Sequence, residues 1–380
     1  VRSVFGVVLD PVSNEFGWPR EIFSLSLAIQ NLIWGAAQPV FGAIADKYGD
    51  RRALWLGLVC YIAGMALFLV GTTPGAQHLG AGVLVGAGIA GTAFGLVLAV
   101  VSRASTDANR SQNLGLVSAL GSSGQVLLPI LAAQLIQAGY DWRATMTVIA
   151  LLLVPMIVCI PFLKASAPAT AANAPIQESD VRLMETIRHA MVQQSYLLLI
   201  LGFFVCGFHV AFITVHLPAF VYERCGDAAL GGYAIAIVGA MNILGSFAAG
   251  QLGARYPKPY LLSGIYALRA LVIFLFISFP VTPLSVILFA AAIGPLWLST
   301  VPLTSALVVS MFGPRTMGTL YGIVFFSHQI GSFLGVYLGG RLYDEFGSYD
   351  IVWWAAIVLG IFSALVHLPV KERSVAAQPA

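Results

Sequence analysis

The residues of this chain that could do chemistry are few, and most of them sit inside apolar runs. Arg2 is the first. A guanidinium at mid-depth of a lipid-spanning helix costs about 2.5 to 3.5 kcal/mol on insertion scales, and such residues face a cavity or a partner. A bound carboxylate offsets that cost through a bidentate pair. Alternatively, Arg2 snorkels to the aqueous rim. His209 and His216 are seven positions apart, two helical turns, and so share one helix face. An imidazole, titrating near pH 6.5, can take up a proton beside an anion, so both are proton-coupling candidates. Hydrogen-bonded packing is their competing role. Arg2, Gln125, His209, His328 and Asn242 form the substrate-binding candidates; for the uncharged ones the alternative is interhelical hydrogen bonding. Gln125 and His328 fall on nearly corresponding turns of a repeated helix, Gln125 aligning with Ser332.

The elements that must position these residues follow from composition. The chain is 59% hydrophobic and 9% charged, with mean hydropathy +0.89, against about 25% charged residues in a soluble domain. Apolar runs long enough to cross a bilayer as helices recur near 1–14, 22–44, 53–72, 79–102, 112–138, 143–163, 195–221, 230–253, 260–279, 283–309, 317–342 and 350–369. The expected fold is therefore an all-α membrane protein with 12 transmembrane helices. The alternating 10-residue segments of a membrane barrel are missing.

The sequence also repeats itself at half-chain distance. Gly42 to Arg52, GAIADKYGDRR, returns in degraded form 208 positions later as Gly250 to Pro259, GQLGARYPKP. Gly115 to Asp141 likewise lines up with Gly322 to Asp350. Two pseudo-symmetric six-helix bundles are expected: 1–164 and 194–380, joined by a polar linker at 165–193 that ends in an amphipathic segment. Carrying the offset back from the seventh span predicts a truncated first helix, its natural start about a dozen residues before Val1. Halves of this kind place substrate near the bilayer midplane and rock for alternating access. A single chain holds both halves, so a monomeric functional unit is expected.

Charge sets the orientation, because Lys and Arg gather in cytoplasmic loops. Placing the Gly42 to Arg52 loop inside assigns thirteen of the 19 Lys and Arg residues to the cytoplasm, with both termini there. The net charge of +3 is thus a topology signal and gives no reason to expect nucleic acid. Cys60, Cys159, Cys206 and Cys225 show no paired spacing, so neither a disulfide framework nor a zinc site is expected. GAGIAG at Gly86 to Gly91 fits a dinucleotide pattern but lies within an apolar helical run, where small residues let helices approach. With no Walker loop, an ion or solute gradient must supply the energy. No enzyme activity and no cofactor are expected.

Across its whole length the chain resembles the major facilitator superfamily. The family's signature loop is similar to Gly42, Asp46, Lys47, Gly49, Arg51 and Arg52, and the resemblance implies that these residues form a cytoplasmic gate remade as the carrier changes state. The alternative is a basic loop that only anchors topology. The second copy has Ala254 where the acid belongs and Pro257 for the second glycine, so no gate is expected there. Arg2 to Arg20, with Cys206 to Phe220, resembles the bacterial branch of monocarboxylate porters and oxalate/formate antiporters, which implies a bacterial inner-membrane location. Those porters carry an arginine on the eighth helix, where this chain has Asn242 and Ser246. The ninth helix is peripheral in the family, which gives Arg269 a structural role. The expected function is secondary active transport of a small organic anion, proton-coupled or exchanging for another anion. The alternatives are efflux of an amphipathic or drug-like compound, and a receptor that binds without transporting.

Overall fold

The computed structural model describes residues 4–5, 8–18, 20–163 and 176–372. Helices carry the structure, and the described residues contain no strand. In chain order they are α1 (Leu9–Phe16), α2 (Arg20–Tyr48), α3 (Asp50–Val70), α4 (Pro74–Gln77), α5 (Val85–Thr92), α6 (Phe94–Ala104), α7 (Arg110–Gln137), α8 (Trp142–Leu151), α9 (Val154–Cys159), α10 (Ile176–Ala190), α11 (Gln194–Cys225), α12 (Ala228–Gly253), α13 (Lys258–Ser278), α14 (Pro283–Ile293), α15 (Thr300–Phe312), α16 (Met317–Phe346) and α17 (Asp350–His367). Several expected spans are composite. A π-helical stretch, His78–Leu84, joins α4 to α5, and 3-10 turns follow α9 and α14. Among the described residues, ten helical stretches are long and apolar enough to cross a membrane. The 29 residues of α2 add about 44 Å of helix, more than a hydrocarbon core needs. The polar linker ends in α10, the expected amphipathic helix.

Local chemistry fixes the helix ends. Gly49, at φ 94°, turns α2 into α3 in a conformation that a side chain would strain. Asp141 caps α8 by accepting from the Ala144 N–H at 2.7 Å, and Thr282 and Ser285 form a reciprocal capping box on α14. Pro129 and Pro218 lie inside α7 and α11, where neighbouring helices tolerate them.

The halves repeat in space as they do in sequence. α3 and α13 each have 21 residues and begin 208 positions apart. Both halves also carry a broken helix, between α5 and α6 at Ala93 and between α14 and α15. Backbone groups freed within a membrane need partners. Gln38 Nε2 donates to the Ala90 carbonyl at 3.2 Å at the first break. At the second, Asn242 Oδ1 accepts the Leu298 N–H at 2.9 Å, and Arg269 Nε donates to the Leu296 carbonyl at 2.9 Å while Nη2 reaches the Trp297 carbonyl. Arg269 is therefore the structural residue expected of it.

The two sets of helices meet along α2 against α16 and α7 against α12. Glycine permits the approach. A Cβ on Gly42 would lie 2.1 Å from the Gly318 carbonyl oxygen, and one on Gly115 would lie 2.5 Å from Gly250 Cα. From the end of the molecule that holds Gly49, the α2–α16 seam continues through Gly322 on Pro39 and Trp34 on Phe325 (centroids 4.9 Å apart) to Gly35 on Gln329. Further along, α16 exposes Phe333 and Tyr337.

Candidate functional site

At the Gly49 end, α2 delivers the carboxylate of Asp46 to the first turn of α16. The first N–H groups of a helix have no partner within it and carry the positive end of its dipole, so they suit an anion. Asp46 uses them: Oδ1 accepts from Gly318 N at 3.2 Å, and Oδ2 accepts from Thr319 N and Thr319 Oγ1, both at 2.7 Å. Arg103, from the end of α6, donates to Asp46 Oδ1 at 2.8 Å and also holds Asp50. Its Nη1 reaches the Pro314 carbonyl, just ahead of α16, at 3.4 Å. Asp46 is only 2% exposed, so this charge is committed to the junction.

The other loop residues divide their roles. Gly42 makes the close approach to Gly318. Arg51 donates to the Leu163 carbonyl and so ties the loop to the end of its own half. Lys47 lies over the Tyr48 ring at 4.9 Å, and Arg52 is exposed. Arg103, Asp50 and Thr319 are the junction residues that the sequence pattern did not single out. Arg103 was legible only as one of many cations on this side. Its partnership depends on α6 ending beside α2, which no spacing rule conveys.

The second copy of the loop holds a different tie. Lys258, which opens α13 as Asp50 opens α3, pairs with Glu372, whose Oε2 accepts the Lys258 N–H at 3.0 Å. Ser310 on α15 donates to the same carboxylate at 3.4 Å. The N-terminal half places an acid on the helix and a base on its neighbour, and the C-terminal half reverses the signs. Because this junction lies within one half, it cannot gate between the two.

Near the middle of the helices, the predicted residues separate. Arg2 lies outside the described residues, as does the side chain of Gln125. His209 and His216 bond to different helices. His209 Nε2 meets the Ala356 carbonyl of α17 at 2.8 Å, with Gly360 against its ring, whereas His216 Nε2 meets the Val336 carbonyl of α16 at 3.0 Å. A stack of Phe212, Trp353 and Tyr349 fills the space beside them. The seven-residue spacing gave a shared helix side, and packing turned that side into the interior of the C-terminal set. Asn242 bonds on both sides: its Oδ1 accepts from Ser246 Oγ at 3.2 Å as well as from the Leu298 N–H, and its Nδ2 donates to Ser122 Oγ at 2.9 Å across α7 and α12. It thus joins the broken helix to the opposite half.

His328 is different. It lies on α16 at the seam, stacked on Phe325 at 5.3 Å, and Phe325 packs on Trp34 of α2. Its Nδ1 is 3.2 Å from Gln329 Oε1, and Gln329 Nε2 donates to the Asn31 carbonyl of α2 at 3.3 Å. Phe203 and Cys206 of α11 flank it from behind. Among the described side chains, the carboxylates lie toward the helix ends or in the connections, so the polar groups at mid-seam are neutral or basic.

Known proteins share this architecture. The chain is 27% identical to the uncharacterized MFS-type transporter YcxA of Bacillus subtilis (strain 168), over 97% of this chain and 90% of that protein. It is 25% identical to monocarboxylate transporter 13 of Bos taurus, over 92% of this chain and 79% of that one. The crystal structure of the E. coli fucose:proton symporter FucP matches with a TM-score of 0.72 at 16% identity, covering 96% of this chain and 95% of that chain. The sequence pattern of the Major Facilitator Superfamily spans residues 1–336, and this chain belongs to that superfamily.

Proposed function

We propose that this transporter moves a small organic anion of the monocarboxylate type by alternating access, driven by a proton or by exchange for another anion. The observation that carries this reading is the chemistry of the seam. His328 and Gln329 lie at mid-helix on the α2–α16 pairing, and Asn242 and Ser122 on the α7–α12 pairing, with no carboxylate among the described side chains beside either pair, a setting that disfavours a cationic substrate and suits an anion. The name of the bovine relative points the same way. Arg2 is proposed as the second charge on the substrate. Residues 1–164 and 194–380 are proposed as the moving units, with 165–193 between them. The Gly49 end faces the cytoplasm of a bacterial inner membrane, both termini lie on that side, and one chain is the functional unit. With the Asp46 junction closed, the carrier faces outward.

Reconstitution tests this. Proteoliposomes loaded with unlabelled lactate, pyruvate or benzoate accumulate the labelled acid in counterflow, and Arg2→Gln abolishes that accumulation. Counterflow of none of these acids, together with export of a lipophilic dye, would replace the proposal with efflux. Binding without counterflow would replace it with a receptor.

A further inference from the structure

We propose that His328 is the residue through which this carrier takes up and releases a proton, and that Gln329 links its protonation to the state of the α2–α16 seam. The inference rests on the organic-anion reading above. The proton carrier proposed here sits at mid-seam; of the described carboxylates Asp46 also bridges the halves, but at the Gly49 end and held on the first turn of α16, and the others lie toward helix ends or in the connections. Of the other histidines, His209 faces α17, and His216 bonds the Val336 carbonyl amid an aromatic stack. His367 is buried at the end of α17, and His78 bonds Ser26 at the start of the π-helical stretch. His189 lies on α10, ahead of the C-terminal helices.

The hydrogen bonds around His328 assign its nitrogens. The Asn31 carbonyl accepts from Gln329 Nε2, which fixes the amide so that Oε1 faces the ring. That oxygen accepts a hydrogen bond from Nδ1–H, leaving Nε2 as the basic position. Ser332 Oγ, 3.4 Å from Nδ1, can also accept. One proton arriving at Nε2 converts the ring to imidazolium while Nδ1–H keeps its bond, and an incoming carboxylate balances the charge. The titratable or charged groups facing the site are Cys206 of α11, Tyr321 of α16 and, behind Cys206, Arg269 of α13; α2 contributes the Asn31 carbonyl and Trp34, and α15 the hydroxyl of Thr300 on Cys206. When α2 parts from α16, Gln329 loses the Asn31 carbonyl. Its amide can then turn N–H groups toward Nδ1–H, an arrangement an imidazolium cannot satisfy. The proton leaves with the anion on the newly opened side.

The test compares wild type with His328→Gln in proteoliposomes carrying a trapped pH-sensitive dye, with labelled lactate, pyruvate and benzoate as probes. In His328→Gln, uptake driven by a pH gradient falls by about tenfold or more, by a larger factor than counterflow without a gradient, and the dye response is lost with it. Undiminished gradient-driven uptake and dye response in His328→Gln would overturn the proposal and leave the anion reading standing. If wild type carries none of the acids, both fall. If folded His328→Gln loses counterflow as well, Gln329→Leu decides. The proposal then requires the pH profile of counterflow to move by about one unit or more, and an unmoved profile rejects it.

Discussion

Replacing Asp46 with Asn should open the Gly49 end. The carboxylate accepts four hydrogen bonds, from Arg103 Nη1, Gly318 N, Thr319 N and Thr319 Oγ1. An amide retains one oxygen and turns an NH2 group toward donors: facing Arg103 and Gly318 it loses both of their bonds, and facing Thr319 it loses the N–H bond while the hydroxyl can turn to accept. Each charge-assisted bond contributes about 1.5 to 3 kcal/mol. Arg103 keeps Asp50, which limits the loss. A net destabilisation of the closed junction by about 3 kcal/mol moves the closed-to-open ratio about 150-fold, because each 1.4 kcal/mol is a factor of ten. Spin labels on Arg52→Cys and Arg315→Cys, exposed positions on opposite sides of the junction, report it by pulsed dipolar spectroscopy. In Asp46→Asn the distance distribution shifts to longer separations, and Thr319→Val added to it shifts it by less than the sum of the two alone. An unchanged distribution, or a strictly additive double variant, would refute the idea that this carboxylate holds the halves together.

Three further outcomes follow from the same geometry. Gly42→Ala places a methyl 2.1 Å from the Gly318 carbonyl, which backbone cannot accommodate without separation, so the same spin-label pair should lengthen even with Asp46 intact. Asn242→Ala leaves the Leu298 N–H and Ser122 without their partner inside the membrane, and should lower the melting temperature in detergent by the equivalent of about 1 to 3 kcal/mol. His209→Gln, if it folds, should leave the pH profile of counterflow where wild type has it, because its ring bonds the Ala356 carbonyl away from the seam; a displaced profile would return His209 to the proton path.

The sequence alone determined the membrane class, the helical fold and its duplication, because apolar length and half-chain repetition are properties of the chain read in order. It also marked Asp46 as unusual, since an acid in a basic loop adds little to orientation. Tertiary structure decided what each polar residue does. The partners of Asp46 lie 272 and 273 positions away on the first turn of α16, and Arg103 reaches it from the end of a helix whose boundary depends on the break at Ala93. Asn242 read as a substrate ligand becomes the acceptor for a break in α14–α15 that hydropathy smooths over. His209 and His216 shared a helix face, but a face acquires meaning only from what packs on it. Aromatic and carbonyl groups of α16 and α17 claimed them, and left His328, beside a glutamine held from across the seam, where the halves can act on it.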